Sequence, residues 1–268
     1  MKIYDSFLLH GELDILELRL NILGETVDNF VICEAKQAFS GAEWPSSYLA
    51  NKERFAKWED KIIYYQFDLM ADPELVEQAR NSPNTTGNPY WMKVYYAMEM
   101  LRKPLEVCND EDIVFISDVD EIWNPEIPIN ADDKVYGLHQ IVYYYQLNNR
   151  CSEPWTGSIY TTYCRLKTEI INNIKQKGEE KIDFGGWHFT YQGGEAQMRL
   201  KIESSRDASN NDSYYGVPTD YIIGRAQENK DIFPEYFNRG YTFTKDEEGW
   251  PDFLKRNRTK YEDLCRKT

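Results

Sequence analysis

Residues 112 to 125 read DIVFISDVDEIWNP. Four consecutive apolar residues, Ile113, Val114, Phe115 and Ile116, lead into three carboxylates, Asp118, Asp120 and Glu121, within four positions. An unbroken β-branched and aromatic run is the pattern of a strand buried on both faces, so its sheet must be covered on both sides. The acids at its carboxyl end repel one another, and no neighbour in sequence neutralises them. The cluster is either a solvated turn or the start of a cation site. In an extended segment residues two apart share a face, so Asp118 and Asp120 can address one ligand while Val119 packs beneath. Hard carboxylate oxygens suit Mg2+ or Mn2+, which keep waters and add phosphate oxygens from a substrate.

The surrounding chain alternates strands with helices. IYDSFLL, VDNFVICEA and KIIYYQFDL read as strands. GELDILELRLNILG reads as a helix, with Leu13, Leu16, Leu20 and Leu23 at helical spacing and Gly24 as its stop. SYLANKERFAKWE, ADPELVEQAR and YWMKVYYAMEMLRKPLEVC are further helical patterns, the last interrupted at Pro104, and NSPNTTGNP is a loop. KVYGLHQIVYYYQL supplies one or two more strands. The alternation predicts an α/β fold with a mixed, mostly parallel central sheet and crossover helices. Such sheets bind ligands beyond the carboxyl ends of their strands, where Glu34 and the acid cluster both fall. After residue 150 the pattern becomes irregular, with glycine-rich turns around DFGGWHFTYQGG and a polar run SSRDASNNDSYYG. There is no repeat and no clean linker, so a single domain over residues 1–268 is expected.

Acidic residues outnumber basic ones, 45 against 31, for a formal charge of −14. That argues against a nucleic-acid partner, and a polyanionic ligand would need a local basic clamp or a metal. No stretch approaches the roughly 18 apolar residues of a membrane span, and the N-terminal apolar run is too short for a signal peptide. The five cysteines are odd in number and widely spaced, which disfavours a disulfide framework and points to a reduced, cytoplasmic setting.

Several blocks together resemble glycosyltransferase family 17, whose animal member adds N-acetylglucosamine to N-glycans. They are YDSFLLHGELDILELRLNILGETVDNFVICEAKQAFSG, NKERFAKWEDKIIYY, DIVFISDVDEIWNP and GGWHFTYQGG, with Lys201 soon after. Their order and spacing hold from residue 3 to about 233. The resemblance implies a GT-A (Rossmann-like) fold with a nucleotide-binding half (1–125) and an acceptor-binding half (126–268). It also implies inverting transfer of a sugar, N-acetylglucosamine first, from a UDP-sugar to a glycan acceptor, with Mn2+ or Mg2+. Two departures stand out: Ala38 replaces a usual Thr, and ESSRDASNN replaces a block in which relatives carry a His.

Candidate roles follow. Asp118 and Asp120 match the family's metal and nucleotide motif, and His188 is the candidate third ligand. Asp118 is shared with the ribose. Glu34, Arg54, Arg199 and Lys201 are candidates to hold the donor, the basic ones as diphosphate clamps. Trp187, Tyr191 and Trp155 are candidates to stack on sugar faces. Inverting transfer needs a base for the acceptor hydroxyl; Asp183 and Glu195 flank the GGWH segment and are the candidates. His10 and His139 read as structural. Two other readings stay open: a phosphohydrolase of the haloacid dehalogenase type with Asp118 as nucleophile, and a non-catalytic carbohydrate-binding protein on the same fold.

Overall fold

The computed structural model describes residues 1–85, 87–204, 218–232 and 239–266. Ten strands form one mixed sheet. β1 (Ile3–Leu8), β2 (Asn29–Ala35), β3 (Ile62–Phe67) and β4 (Ile113–Asp118) are the strands read from sequence. They pair in parallel in the order β3-β2-β1-β4. This is the parallel core that the strand–helix alternation predicts. β5 (Glu121–Trp123), β6 (Tyr136–Tyr144), β7 (Asn149–Cys151), β8 (Ile159–Thr162), β9 (Glu180–Thr190) and β10 (Phe243–Lys245) extend it. The sheet runs β10-β7-β6-β8-β4-β1-β2-β3, with β9 joining β6 to β5. Every pairing on this second side is antiparallel except β6 with β9. The parallel character is therefore concentrated in the first half, with β6 and β9 as the parallel pair of the second.

β4 explains the layering. Ile113 and Phe115 pack with Phe7, Ile32, Leu16 and Leu20 on one face. Val114 and Ile116 pack with Tyr4, Val31, Met98, Leu101 and Ile174 on the other. Alternate side chains of one strand thus nucleate two cores, as strict two-residue periodicity demands. Each fully buried aliphatic side chain contributes on the order of 1.5–3 kcal/mol relative to exposure.

Among the described residues the α-helices are α1 (Leu13–Leu23), α2 (Ser47–Ala50), α3 (Pro73–Asn81), α4 (Pro89–Met100), α5 (Arg102–Leu105), α6 (Tyr163–Leu166), α7 (Ile171–Lys177), α8 (Gly194–Ser204), α9 (Thr219–Gln227) and α10 (Asp252–Arg256). α4 starts where Asn88 accepts from the N–H groups of Tyr90 and Trp91, with Pro89 pre-set at the first helical position. Two expected helices are shorter than their patterns. SYLANKERFAKWE keeps only α2 as α-helix and continues as a 3-10 run over Lys52–Lys61. The pattern after Tyr90 breaks at Leu101, before Pro104, which sits in the first turn of α5 where its missing N–H costs nothing.

The largest departure concerns DFGGWHFTYQGG. Its first eight residues lie within the eleven-residue strand β9 and are not a turn. A Cβ on Gly186 would stand 2.2 Å from the Ile122 carbonyl oxygen and 2.6 Å from Trp123 Cα. Glycine there lets β5 and β9 meet, and it adopts φ +148.

Candidate functional site

The acid cluster is held by two residues that sequence reading passed over. Arg19, on the inward face of α1, is completely buried. Its Nε and Nη2 donate to the two carboxylate oxygens of Asp5 on β1 at 2.7 and 2.6 Å. Nη2 also donates to Ser117 Oγ, and Nη1 to the carbonyls of Asp118, Val119 and Glu121 at 2.8, 3.2 and 2.9 Å. Trp123 Nε1 donates to Asp5 from the other side. The guanidinium fork therefore fixes the backbone of the DVDE turn from beneath, so that the acid side chains can be directed elsewhere.

Glu121 is the next layer. Both its oxygens accept bonds, one from Trp155 Nε1, the other from Ser158 Oγ at 2.9 Å and the Asp118 N–H at 3.2 Å. Burial opposes its charge, but Lys175, His188 and the Trp155 bond hold the carboxyl below its usual range. Gly157 makes this possible, because a Cβ there would lie 2.2 Å from both Glu121 Oε1 and Trp155 Nε1.

Asp120 is 3 % exposed. Its Oδ2 accepts from Lys201 Nζ at 2.7 Å and lies 3.6 Å from His188 Nε2. Lys201 comes from α8, His188 from β9 opposite Glu121 in the β5–β9 ladder. Lys201 Nζ also lies 3.1 Å from Glu12 Oε1 and 5.5 Å from the Tyr191 ring centroid. Glu12, at the entry to α1, is thus a fourth carboxylate of the cluster. Its only sequence signal was an acid at the mouth of a strand, which is common at any helix start.

The charges respond to one another. Burial alone would raise Asp120, yet Lys201 and His188 hold it far below its ordinary value. Burial pushes Glu12 up against the opposing pull of Lys201. The Asp118 carboxyl is pushed up to about 6, by burial first, then by Glu121 and Asp120, with Lys175 opposing. For His188, burial disfavours the imidazolium, but the Asp120 carboxylate outweighs it and raises the ring. Among the described residues the Asp118 carboxylate takes no side-chain hydrogen bond, and of the buried side-chain polar atoms without a partner one, His188 Nδ1, belongs to the cluster itself. A buried imidazole nitrogen left without a partner beside four carboxylates marks His188 as a candidate functional residue.

Of the residues proposed from sequence, Asp118, Asp120, His188, Lys201, Trp155 and Tyr191 converge here. The others do not. Glu34 is fully buried, and its oxygens accept from Ser46, the N–H groups of Ser47 and Tyr48, and Tyr64, so it ties the start of α2 to β2. Arg54 pairs with Asp14 and Glu17 of α1. Arg199 pairs with Glu195, Glu203 and Asp220 on the side of α8 away from Lys201, two residues along a helix being about 200° apart. Glu195 is occupied by Arg199 and Gln227. Trp187 is 4 % exposed and donates to the Gly249 carbonyl, so it belongs to the core. Asp183 has a 95 % exposed side chain, 3.3 Å from His139 Nδ1, beside a 330 Å³ cavity lined also by Phe184 and Pro154. It is separate from the acid cluster. Most of the segment that replaces the His-containing block, residues 205–211, lies outside the described residues.

The acid cluster lies at the carboxyl end of a parallel strand of a Rossmann-like sheet, where such sheets bind their ligands. The sequence profile of glycosyltransferase family 17 matches residues 1–238. The chain belongs to glycosyltransferase family 17 and is a glycosyltransferase. No curated protein matches it. No helix among the described residues is long and apolar enough to cross a membrane.

Proposed function

We propose that this glycosyltransferase is an inverting, divalent-metal-dependent enzyme that moves N-acetylglucosamine from UDP-N-acetylglucosamine to a hydroxyl of a glycan acceptor. One observation carries the reading: just past the carboxyl end of β4, Asp120 meets His188 of β9 and Lys201 of α8, and the Asp118 carboxyl feels the charges of Asp120 and Lys201. Among the described residues no three such side chains are gathered closely enough to hold an ion by themselves, so two hard carboxylates and an imidazole would hold Mn2+ or Mg2+ together with phosphate oxygens of the donor. The unpaired Asp118 carboxylate and the imidazole 3.6 Å from Asp120 are the observations that support the fit. Bound there, the ion would neutralise charge on the departing diphosphate.

The chain's own groups divide the remaining work. Asp118 and Asp120 would hold the cation, with Asp118 shared between it and the ribose of the donor. Arg19, Glu121 and Trp155 keep the acid turn rigid, so no reorganisation is needed as charge develops. Lys201 offers the positive charge that a polyanionic donor requires against a −14 chain. Trp155, 45 % exposed, and Tyr191 present ring faces beside the cluster for sugar C–H groups. Calorimetric titration with UDP-N-acetylglucosamine, UDP-glucose and UDP-galactose, with and without Mn2+, tests the donor and metal together. Tight binding of the first only in the presence of Mn2+ is expected, and metal-indifferent binding of all three contradicts it.

A further inference from the structure

The Lys201 ammonium stands where the proposed site needs a cation. It sits between two buried carboxylates, 2.7 Å from Asp120 and 3.1 Å from Glu12, whose side chains are 5 % and 9 % exposed. Neither acid could stay ionised at that burial without a partner, because a desolvated charge is tolerated only when compensated. Lysine suits a place that must later be vacated. It is a compact charge on a flexible stem of four methylenes, and its side chain keeps 25 % exposure, five times that of Asp120. Arginine, as used beneath the turn at Arg19, would lock the same carboxylate in a fork.

We infer that Lys201 is the site's internal counter-cation: it compensates Asp120 and Glu12 before loading, competes with the divalent ion for Asp120, and is transferred to the donor diphosphate when the ion binds. The inference rests on the metal-dependent reading above and adds an order to it. A divalent ion and Lys201 cannot both be close to Asp120 Oδ2 without mutual repulsion. A diphosphate supplies the new partner that lets Lys201 leave. Metal and nucleotide then bind with positive coupling, part of which runs through this one side chain. Lys201 is thereby a positioning residue for loading as well as a clamp.

Mn2+ binding to the full-length protein, read by the EPR signal of the free ion, tests this without any turnover. Wild type is compared with Lys201→Met, and with Glu12→Gln/Lys201→Met, which removes one of the carboxylates left unpaired and guards against loss of fold. Without nucleotide both variants are expected to bind Mn2+ at least tenfold more tightly than wild type. UDP is expected to tighten Mn2+ binding to wild type more than to either variant. If wild type binds Mn2+ and the variants bind it no more tightly, the counter-cation role is overturned and the metal site stands. If none of the three binds Mn2+ even with UDP, the metal-dependent reading fails and this inference falls with it.

Discussion

The guanidinium of Arg19 donates to the backbone carbonyl of Asp118 at 2.8 Å, joining two residues 99 positions apart in the chain. Through this bond and its neighbours a buried helix residue sets the orientation of the acid turn. Arg19→Met removes the fork and leaves Asp5 buried without its cation, with the Trp123 N–H still donating to it and three carbonyls undersatisfied. Breaking a buried pair in this way costs about 3–5 kcal/mol. Urea denaturation should show a loss of that size, and a change under about 1 kcal/mol would remove Arg19 as the organiser of the turn.

Gly157→Ala tests the layer above. Its new methyl would stand 2.2 Å from Glu121 Oε1 and Trp155 Nε1, so the bond between them must open. Overpacking of this kind costs about 1–3 kcal/mol. Trp155→Phe makes the second version, removing the N–H donor and one ring of the indole while keeping an aromatic face. Both should lower kcat more than they raise the donor KM, because Glu121 touches the turn and not the nucleotide. Thermal melts and steady-state kinetics on the two variants check this.

Acid should destabilise the protein through His10. Burial first, then Lys201, lowers its imidazole from 6.5 to about 4 while the ring lies stacked on Trp44 at 4.1 Å. The folded state therefore binds fewer protons than the unfolded one between those values, and stability is full above pH 6.5 and lost as pH falls towards 4. The contribution is at most about 3.5 kcal/mol, at about 1.4 kcal/mol per unit. His10→Gln should flatten this part of the pH–stability curve measured by urea denaturation; an unchanged slope rejects the assignment.

Arg54 and Arg199 have carboxylate partners on the protein surface, as given above, and no route to the acid cluster. Arg54→Gln and Arg199→Gln should leave the donor KM within about twofold and cost less than about 1 kcal/mol each, as exposed pairs do. A tenfold rise in donor KM for either would return it to the site.

What the sequence made legible was local. β1 to β4 were visible because β-branched runs between turn signals need no tertiary context, and Asp118 and Asp120 because two acids at a strand end share a face. What it hid was convergence. Arg19 read as one polar position in a helix, Glu12 as a helix-start acid, and only the fold brings them to Asp120 and Asp118. Glu34 was read as a ligand contact because strand ends face ligands in such sheets, but Ser46, Ser47 and Tyr64 claim its oxygens first. The glycines before Trp187 were read as a turn because their local signal is the same whether they bend a chain or let two strands touch.

The central claim is that Asp120 holds a divalent ion needed to release the diphosphate. Release of UDP from UDP-N-acetylglucosamine by wild type in Mn2+, by wild type in EDTA, and by Asp120→Asn in Mn2+ tests it most directly. The expected result is turnover in the first case and a loss of at least about 100-fold in the other two. Undiminished turnover in EDTA, or in Asp120→Asn, would contradict it.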